Sequence, residues 1–434
     1  MKRSDRRYLY RPLIERSVVN YQVQHLARNY DFGKQSRIAE LIVQEVNRRI
    51  EEVERQVRIK RIRPFQLYFR WRGCDLALPM FSPEYLEPIL ANSGGLAKAR
   101  ELVMAACWRV CRSAKARIDE PQLRGVVDPD ALIRRQRDGE REWSQEGRTE
   151  VVERFSARMR VSIEKIKPVG IFQRIDEVDT GAPRSLVEEL SQYVEVEGGK
   201  GPRVARQMVE ELITLRSVCC PRTHHLRSGE MPFLATAVNA HLSEEVATRF
   251  RRLKPVILTV WSKQELAEHP WSAPIGKEKM QERIVRVCFE AYRQGGLLSL
   301  MDLQWIFQLS AQTVSRLVRS VQRQCTIIVP TPGTILDAGR SMTHKDIVIK
   351  LYLQGRTVQE IAKMTYHSPR SVDNYIDAFE SVLILHLYRL PRKLMSRILK
   401  KGVSLIDEHL KLAERYFRGQ EEIREFVTGK EARA

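Results

Sequence analysis

The sequence has no long run of apolar residues and no regular framework of cysteines. No stretch approaches the roughly 18 consecutive apolar residues of a membrane-spanning helix, so we expect no membrane protein. The basic opening MKRSDRRYLYRPLIERS lacks an apolar core of signal-peptide length, which predicts no secretory leader. Seven irregularly spaced cysteines are typical of free thiols in a reducing compartment. We therefore expect a cytoplasmic protein.

Motifs of nucleotide and metal chemistry are also missing. GGKGP, residues 198–202, lacks the spacing and the following Ser or Thr of a phosphate-binding loop. The adjacent pairs Cys219–Cys220 and His224–His225 have poor geometry for zinc, because zinc spacings place at least two residues between paired cysteines. Cys107 and Cys111 lie one helical turn apart without a second pair of ligands, which favours small buried residues. The sequence predicts no metal site, no catalytic residues and no cofactor.

A large surplus of basic residues is present instead. Lys and Arg number 74 against 54 Asp and Glu, which gives a net charge of +20. A surplus of this size favours an anionic partner, with nucleic acid first and an acidic membrane surface as the rival. No long basic amphipathic helix supports the membrane alternative. A soluble protein from a basic proteome would show the same surplus.

Composition and periodicity predict a mainly α protein with minor β structure and several domains. With 43% hydrophobic residues, the 434-residue chain can bury several cores. The predicted regions are a basic N-terminal helical/β region (1–126), a charged and exposed connector (127–202), a small mixed α/β domain (203–278), a winged helix-turn-helix (279–340), a second helix-turn-helix with a C-terminal helix (341–420) and a tail (421–434).

Within the N-terminal region, FQLYFRW (65–71) alternates as a strand does. Basic residues interleaved with aromatic ones can hold a nucleic-acid strand by charge and stacking. A half-buried strand with an aromatic inner face produces the same pattern, and this second interpretation is favoured.

A repeat in the C-terminal half carries the main functional prediction. SLMDLQWIFQLSAQTVSRLV begins at Ser299 and TVQEIAKMTYHSPRSVDNYI begins at Thr357, with apolar positions matched at a constant offset. In each copy an acid follows three residues after the first hydroxyl residue, which is the pattern of a capping box. Ser310 and Ser368 are placed to cap the second helix of their copies. A glycine-terminated helix precedes each pair, so we predict two three-helix units.

This repeat resembles the helix-turn-helix of bacterial regulators and transposon proteins. LSAQTVSRLV is typical of a second helix, and the following CTIIVPTPGTILDAG suits a two-stranded wing. EIAKMTYHSPRSVDNYI is similar to the LuxR-type or sigma-factor version. Residues 203–417 resemble an uncharacterised bacterial family of domain-of-unknown-function proteins, often associated with mobile elements. The segments that carry this resemblance are KPVILTVWSKQEL, RIVRVCFEAYRQGGLLSLMDL, TVSRLV and RTVQEIAKMTYHSPRSVDNYI. The resemblance implies DNA binding through helix-turn-helix segments.

Charge distinguishes the two helix pairs. No Asp or Glu occurs from Leu303 through Leu336, which suits a helix that enters the major groove between two rows of phosphates. The second pair carries Asp373 and Asp377 on its outward face, so it either contacts DNA or docks a partner. The predicted base-reading residues are Gln312, Thr313, Ser315 and Arg316 in the first pair and Arg370 and Asn374 in the second. The predicted phosphate contacts are Arg319, Arg323, Arg389, Arg392, Lys393, Arg397, Lys400 and Lys401.

The sequence thus predicts sequence-specific binding of double-stranded DNA, in transcription regulation or mobile-element maintenance. A homodimer is a further expectation, and no motif identifies a small-molecule effector. Two alternatives stay open. A recombinase or transposase would need carboxylates clustered on a strand-rich core, whereas a scaffold would use both helix pairs to bind protein.

Overall fold

Among the residues that the structure describes, the protein is mainly helical with two small sheets, which confirms the predicted mainly α class with minor β structure. The computed structural model describes residues 16–32, 36–80, 95–127, 145–166, 182–240, 252–268, 275–336, 342–365 and 367–431. Two compact units divide the chain. Unit 1 comprises Met1–Val318 and Pro330–Pro332, and unit 2 comprises Arg319–Val329 and Gly333–Ala434. None of the described helices combines the length and apolar character needed to cross a membrane.

Unit 1 begins with helices and a hairpin. These elements are α1 (Val18–Asn29), α2 (Ser36–Gln56), β1 (Gln66–Trp71), β2 (Cys74–Pro79), α3 (Gly95–Ser113), α4 (Glu120–Val127), α5 (Gln145–Lys165), α6 (Arg184–Gly198) and α7 (Pro202–Cys219). Its later elements are β3 (Glu230–Ala237), β4 (Leu253–Thr259), α8 (Lys263–Glu268), α9 (Lys277–Arg293), β5 (Gly296–Leu297), α10 (Leu300–Ile306) and the first part of α11 (Ala311–Cys325).

Four helices of unit 1, namely α1, α2, α6 and α7, share one hydrophobic core. The apolar stripe predicted on α2 supplies Ile42, Val46 and Ile50 to it. The predicted exposed connector is partly wrong here, because α6 buries Leu186 and Val194 in the same core. The connector also contains α5, which is helical as expected and packs against α9. The expected linker segments 128–144 and 167–181 lie outside the described residues.

Two antiparallel sheets complete unit 1. β1 and β2 form a hairpin, whose turn places Arg72 and Gly73 at φ values of 46° and 82°. The strand itself is confirmed, but its half-buried pattern is not, because the consecutive residues Leu67, Tyr68 and Phe69 of β1 are all buried and both faces are therefore covered there. The rings of Tyr68 and Phe69 are not available for stacking on bases. The second sheet has the strand order β4-β3-β5, with β3 in the centre. α9 packs against β4 and β5, which joins the sheet to the first helix pair.

The predicted wing is wrong. After Thr326 the chain has no strand through Leu336, and Pro332–Ile335 forms a short helix, α12. Ile328 explains the difference, because this fully buried residue packs in the core of unit 2 with Ile347, Ile361 and Ile376. The apolar segment that suggested a strand is a connection without regular secondary structure, and it contributes to a helical core.

In the part of unit 2 that the structure describes, the regular elements are all helices. After α12 these are α13 (Met342–Leu353), α14 (Val358–Thr365), α15 (Pro369–Leu387), α16 (Arg392–Leu399), α17 (Val403–Tyr416) and α18 (Gln420–Glu431). The segment predicted as a tail is α18 up to Glu431, and its Ile423 is buried against Phe379 and Leu412. Similarly, the predicted boundary at 278/279 falls inside unit 1, whereas the observed division lies in α11 after Val318.

Candidate nucleic-acid interface

The first helix pair, α10 and α11, begins with the capping box that the sequence predicts. The backbone N–H of Asp302 donates to Ser299 Oγ at 3.2 Å, and the Ser299 N–H donates to Asp302 Oδ2 at 2.7 Å. At the start of α11, Ser310 Oγ accepts from the N–H of Thr313 at 3.1 Å. The N-terminal ends of α10 and α11 are therefore both capped by side chains that accept hydrogen bonds from backbone N–H groups.

The second pair, α14 and α15, repeats this arrangement. The Thr357 N–H donates to Glu360 Oε2 at 2.9 Å, and the Glu360 N–H donates to Thr357 Oγ1 at 3.3 Å. Ser368 Oγ accepts from the Ser371 N–H at 3.1 Å. The two hydroxyl pairs at the second caps, Ser310 with Thr313 and Ser368 with Ser371, are each 2.8 Å apart. The two copies of the sequence repeat therefore share the same helix caps in the structure.

A buried arginine distinguishes the first capping box from the second. Arg16 Nη1 donates to Asp302 Oδ1 at 2.5 Å, and Arg16 Nη2 donates to Thr236 Oγ1 of β3 at 3.0 Å. Asp302 has no exposed surface, whereas the side chain of Glu360 is 49% exposed and pairs with Arg356. Sequence reasoning did not identify Arg16, because 286 positions separate it from its partner and no local spacing relates them.

The turn between α10 and α11 is also stabilised by a residue that is distant in the sequence. Gln308 lies between α10 and α11 with φ of +53° and is fully buried. A left-handed backbone is uncommon for a residue other than glycine, so contacts around it must hold the turn. One such contact is that Arg100 of α3 donates from Nη2 to the carbonyl oxygen of Gln308. α3 and the N-terminal segment therefore both support the first helix pair.

The first part of α11 exposes two of the predicted base-reading side chains. Gln312 and Arg316 are exposed one turn apart, while Val314 and Leu317 are buried on the opposite face. Ser315 is half-buried. The Thr313 hydroxyl is engaged with Ser310, which gives Thr313 a role in the cap. Gln312 and Arg316 therefore form the outward face near the start of this helix.

The second part of α11, which belongs to unit 2, carries Arg319 and Arg323, and both are exposed. Arg323 lines a cavity together with residues of α13 and α17. Arg370 and Asn374 are exposed on α15, and so are Asp373 and Asp377. The outward face of α15 thus combines one cation with two carboxylates, as the sequence indicates.

The basic segment after α15 is mostly exposed. Arg389, Lys393, Arg397, Lys400 and Lys401 all face solvent. Arg392 is also exposed, but its Nη1 lies 3.1 Å from Asp407 Oδ1 of α17, so it is engaged within unit 2. On the same short helix, Leu394 and Ile398 are 40% and 51% exposed, so α16 presents apolar as well as basic side chains.

The segment KPVILTVWSKQEL forms β4 and the start of α8, and it is joined to α9 by a half-buried charge network. Glu265 Oε2 lies 2.7 Å from Arg286 Nη2, and Glu265 Oε1 lies 3.1 Å from Arg283 Nε. The Arg283 guanidinium lies 3.5 Å from the centroid of the Trp261 ring. Burial favours the neutral acid, but Arg286 and Arg283 outweigh it and lower the pKa of Glu265 to about 2. This network connects the segment that follows β4 to α9, the helix that precedes the first helix pair.

The cysteines serve packing. Cys107, Cys111, Cys219 and Cys220 are buried, and burial raises the pKa of the Cys219 thiol well above its usual range. A protonated thiol is a poor metal ligand. Within the described ranges, no three His, Cys, Asp or Glu side chains are grouped closely enough to hold a metal ion.

Comparison with known protein families gives a match over the C-terminal half of the chain. The family described as Protein of unknown function (DUF1670) matches residues 194–412, which is half of the chain and includes both helix pairs. No curated protein and no solved structure matches the chain.

Proposed function

The chain belongs to this family of proteins of unknown function, and we propose that it binds duplex DNA, with the first helix pair reading the sequence. The observation that supports this best is the exposed pair Gln312 and Arg316, one turn apart at the start of a capped second helix. Side chains at this position of a helix-turn-helix reach base edges in the major groove. Arginine forms bidentate hydrogen bonds with guanine, and glutamine forms them with adenine.

Charge supports the same assignment. The segment from Leu303 through Leu336 has no carboxylate, and Asp302 just before it is buried and paired with Arg16. No acidic side chain of this segment would therefore face the phosphates on either side of the groove. Each neutralised phosphate releases condensed counterions, so binding should weaken with rising salt concentration.

The second helix pair has a different role in the proposal. Asp373 and Asp377 are exposed beside Arg370 and Asn374, and two carboxylates near a phosphate row are unfavourable. Leu394 and Ile398 are exposed one turn apart on α16 and favour a protein contact along their own side of this helix, since DNA phosphates give apolar side chains no contact. Lys393 and Arg397 are likewise one turn apart and form a separate basic stripe on the same helix. We assign Lys393, Arg397, Lys400 and Lys401 to DNA phosphates and α15 to an auxiliary contact with DNA or protein.

The biological setting that we propose is transcription regulation or mobile-element maintenance in a bacterial cytoplasm. A recombinase is the competing function, and a magnesium-dependent strand-cleavage assay on the selected duplex tests it. Cleavage that disappears on substitution of specific carboxylates would replace the proposed role with an enzymatic one.

The direct test of DNA binding is selection from a random duplex pool with the full-length protein, followed by sequencing and anisotropy titration. We expect one enriched motif, bound roughly a thousandfold or more tighter than random duplex. Equal affinity for selected and random duplex would contradict sequence reading. A lack of retention even at low salt would contradict DNA binding and favour the scaffold alternative.

A further inference from the structure

A cavity of about 410 Å³ in unit 2 is lined by cationic side chains from three helices. Arg323 comes from α11, Lys350 from α13 and Arg415 from α17. Asp346 of α13 is the single carboxylate among the described lining residues, and Thr326, Tyr416, Gln322 and Ile347 complete the wall. Three cations against one carboxylate leave this cavity with an excess of two positive charges.

The single carboxylate is already engaged on two sides. Arg415 Nη1 lies 2.5 Å from Asp346 Oδ2, and the Tyr416 hydroxyl donates to Asp346 Oδ1 at 2.6 Å. These contacts fix Asp346 and hold the guanidinium of Arg415 at the cavity. Arg415 keeps further N–H donors beyond the one in this pair, because a guanidinium carries five.

The other two cations also have donors to offer. Lys350 Nζ donates one hydrogen bond to Thr326 Oγ1 at 3.1 Å, and an ammonium group has three donors. Thr326, at the C-terminal end of α11, adopts φ of 52°, which ends the helix and places its hydroxyl beside Lys350. Arg323 is exposed in the last turn of the same helix. The cavity thus presents charged donors that the contacts among the described residues of unit 2 use only in part.

We propose that this cavity binds a phosphate group. The excess of two charges matches a dianionic phosphate, and arginine and lysine donors form strong charge-assisted hydrogen bonds to its oxygens. A volume of about 410 Å³ is within the range of small-molecule sites and exceeds what the phosphate alone fills. The phosphate belongs either to a small phosphorylated ligand or to the backbone of bound DNA, and the test separates these two sources. The proposal does not depend on DNA binding.

The first arm of the test is calorimetric titration of the full-length protein with pyrophosphate, at constant ionic strength set with chloride. We expect saturable one-to-one binding to the wild-type protein. Arg323→Gln and Lys350→Gln should each weaken it roughly tenfold or more, since each removes a charged donor. Arg319→Gln is the matched control, because Arg319 is exposed one turn earlier on α11 and does not line the cavity. This control should bind pyrophosphate as the wild type does.

Thermal unfolding of each variant, followed by circular dichroism, confirms that unit 2 stays folded. Arg323→Gln changes an exposed side chain, so it keeps the test informative if Lys350→Gln fails to fold. Absence of saturable binding, or equal weakening by Arg323→Gln and Arg319→Gln, would overturn the proposal.

The second arm measures duplex affinity of the same variants with and without pyrophosphate. A small-ligand site predicts that Arg323→Gln weakens pyrophosphate binding roughly tenfold or more while its duplex affinity stays equal to that of the wild type. A backbone site predicts instead that pyrophosphate competes with duplex in the wild type and no longer does so in Arg323→Gln. If the protein binds no duplex, the first arm still decides the proposal.

Discussion

Arg16 Nη1 and Asp302 Oδ1 are 2.5 Å apart, and their side chains are 4% and 0% exposed. Asp302 also accepts the Ser299 N–H of the capping box, so one carboxylate both caps α10 and pairs with a distant arginine. An ion pair this deeply buried does not by itself indicate stability, but the loss of one partner leaves an uncompensated charge.

The first prediction concerns this pair. Arg16→Ala should lower the free energy of unfolding of unit 1 by about 3–5 kcal/mol, since Asp302 would keep a buried, unpaired charge. The double variant Arg16→Ala/Asp302→Asn should recover part of the loss, because the asparagine oxygen can still accept from Ser299. Tryptophan fluorescence during urea unfolding measures unit 1 selectively, since all six tryptophans precede residue 319. An equal loss in the single and double variants would show that the pair is not the cause.

The sequence predicts the local features of the helix pairs well, because caps depend on residues three positions apart. Both capping boxes and the Ser310 and Ser368 caps form as expected. Arg16 and Arg100 could not be predicted, since their contacts with the first pair join distant parts of the chain.

The predicted wing and the predicted exposed connector were wrong for reasons other than sequence distance. The apolar segment around Ile328 has the composition of a strand, but composition cannot distinguish strand pairing from burial between helices. In the connector, Leu186, Leu190 and Val194 already show helical spacing, and the average over a highly charged region obscured this signal.

The second prediction concerns the boundaries of unit 2. A fragment of residues 319–434 should fold on its own, whereas a fragment of residues 341–420, the limits indicated by sequence, should be much less stable. The shorter fragment lacks Ile328 and Ile423, which are buried in two different cores. Each buried isoleucine contributes roughly 1.5–3 kcal/mol, so the combined loss is several kcal/mol. Urea unfolding followed by far-UV circular dichroism compares the two fragments, and equal midpoints would contradict the observed division.

The third prediction concerns the pH dependence of unit 2. Burial, together with the charges of Lys345 and Lys401, lowers the pKa of His409 from 6.5 to about 4. The unfolded state therefore binds the proton more tightly between these values. The contribution of the neutral His409 ring to the free energy of unfolding is fully present above pH 6.5 and is lost as the pH falls towards 4.

His409→Phe removes this titration and keeps a ring in contact with Phe379, whose centroid is 5.9 Å away. Between pH 7.5 and pH 4.5 the wild-type fragment 319–434 should lose roughly 2–3 kcal/mol more than the variant does. Urea midpoints at several pH values measure the difference. Parallel pH profiles of the wild type and the variant would exclude His409 as the source.

The last prediction separates base reading from phosphate binding within the proposed DNA interface. Arg316 is exposed near the start of α11, and its loss should cost about 1–3 kcal/mol on the selected site while relaxing the preference at one base pair. Lys393 and Arg397 are exposed on α16, and we assign them to phosphates. Lys393→Ala/Arg397→Ala should therefore weaken selected and random duplexes alike.

Salt dependence gives the double variant a distinct signature. The slope of log affinity against log salt concentration should become shallower by about 1.8, because the variant makes two fewer phosphate contacts and each contact contributes about 0.9 to the slope. Arg316→Ala should instead reduce the ratio of selected to random affinity. Anisotropy titrations on both duplexes over a range of salt concentrations compare the variants. If Arg316→Ala weakens both duplexes equally, α11 is not the reader, and base reading is then assigned to Arg370 and Asn374 of α15, which are also exposed.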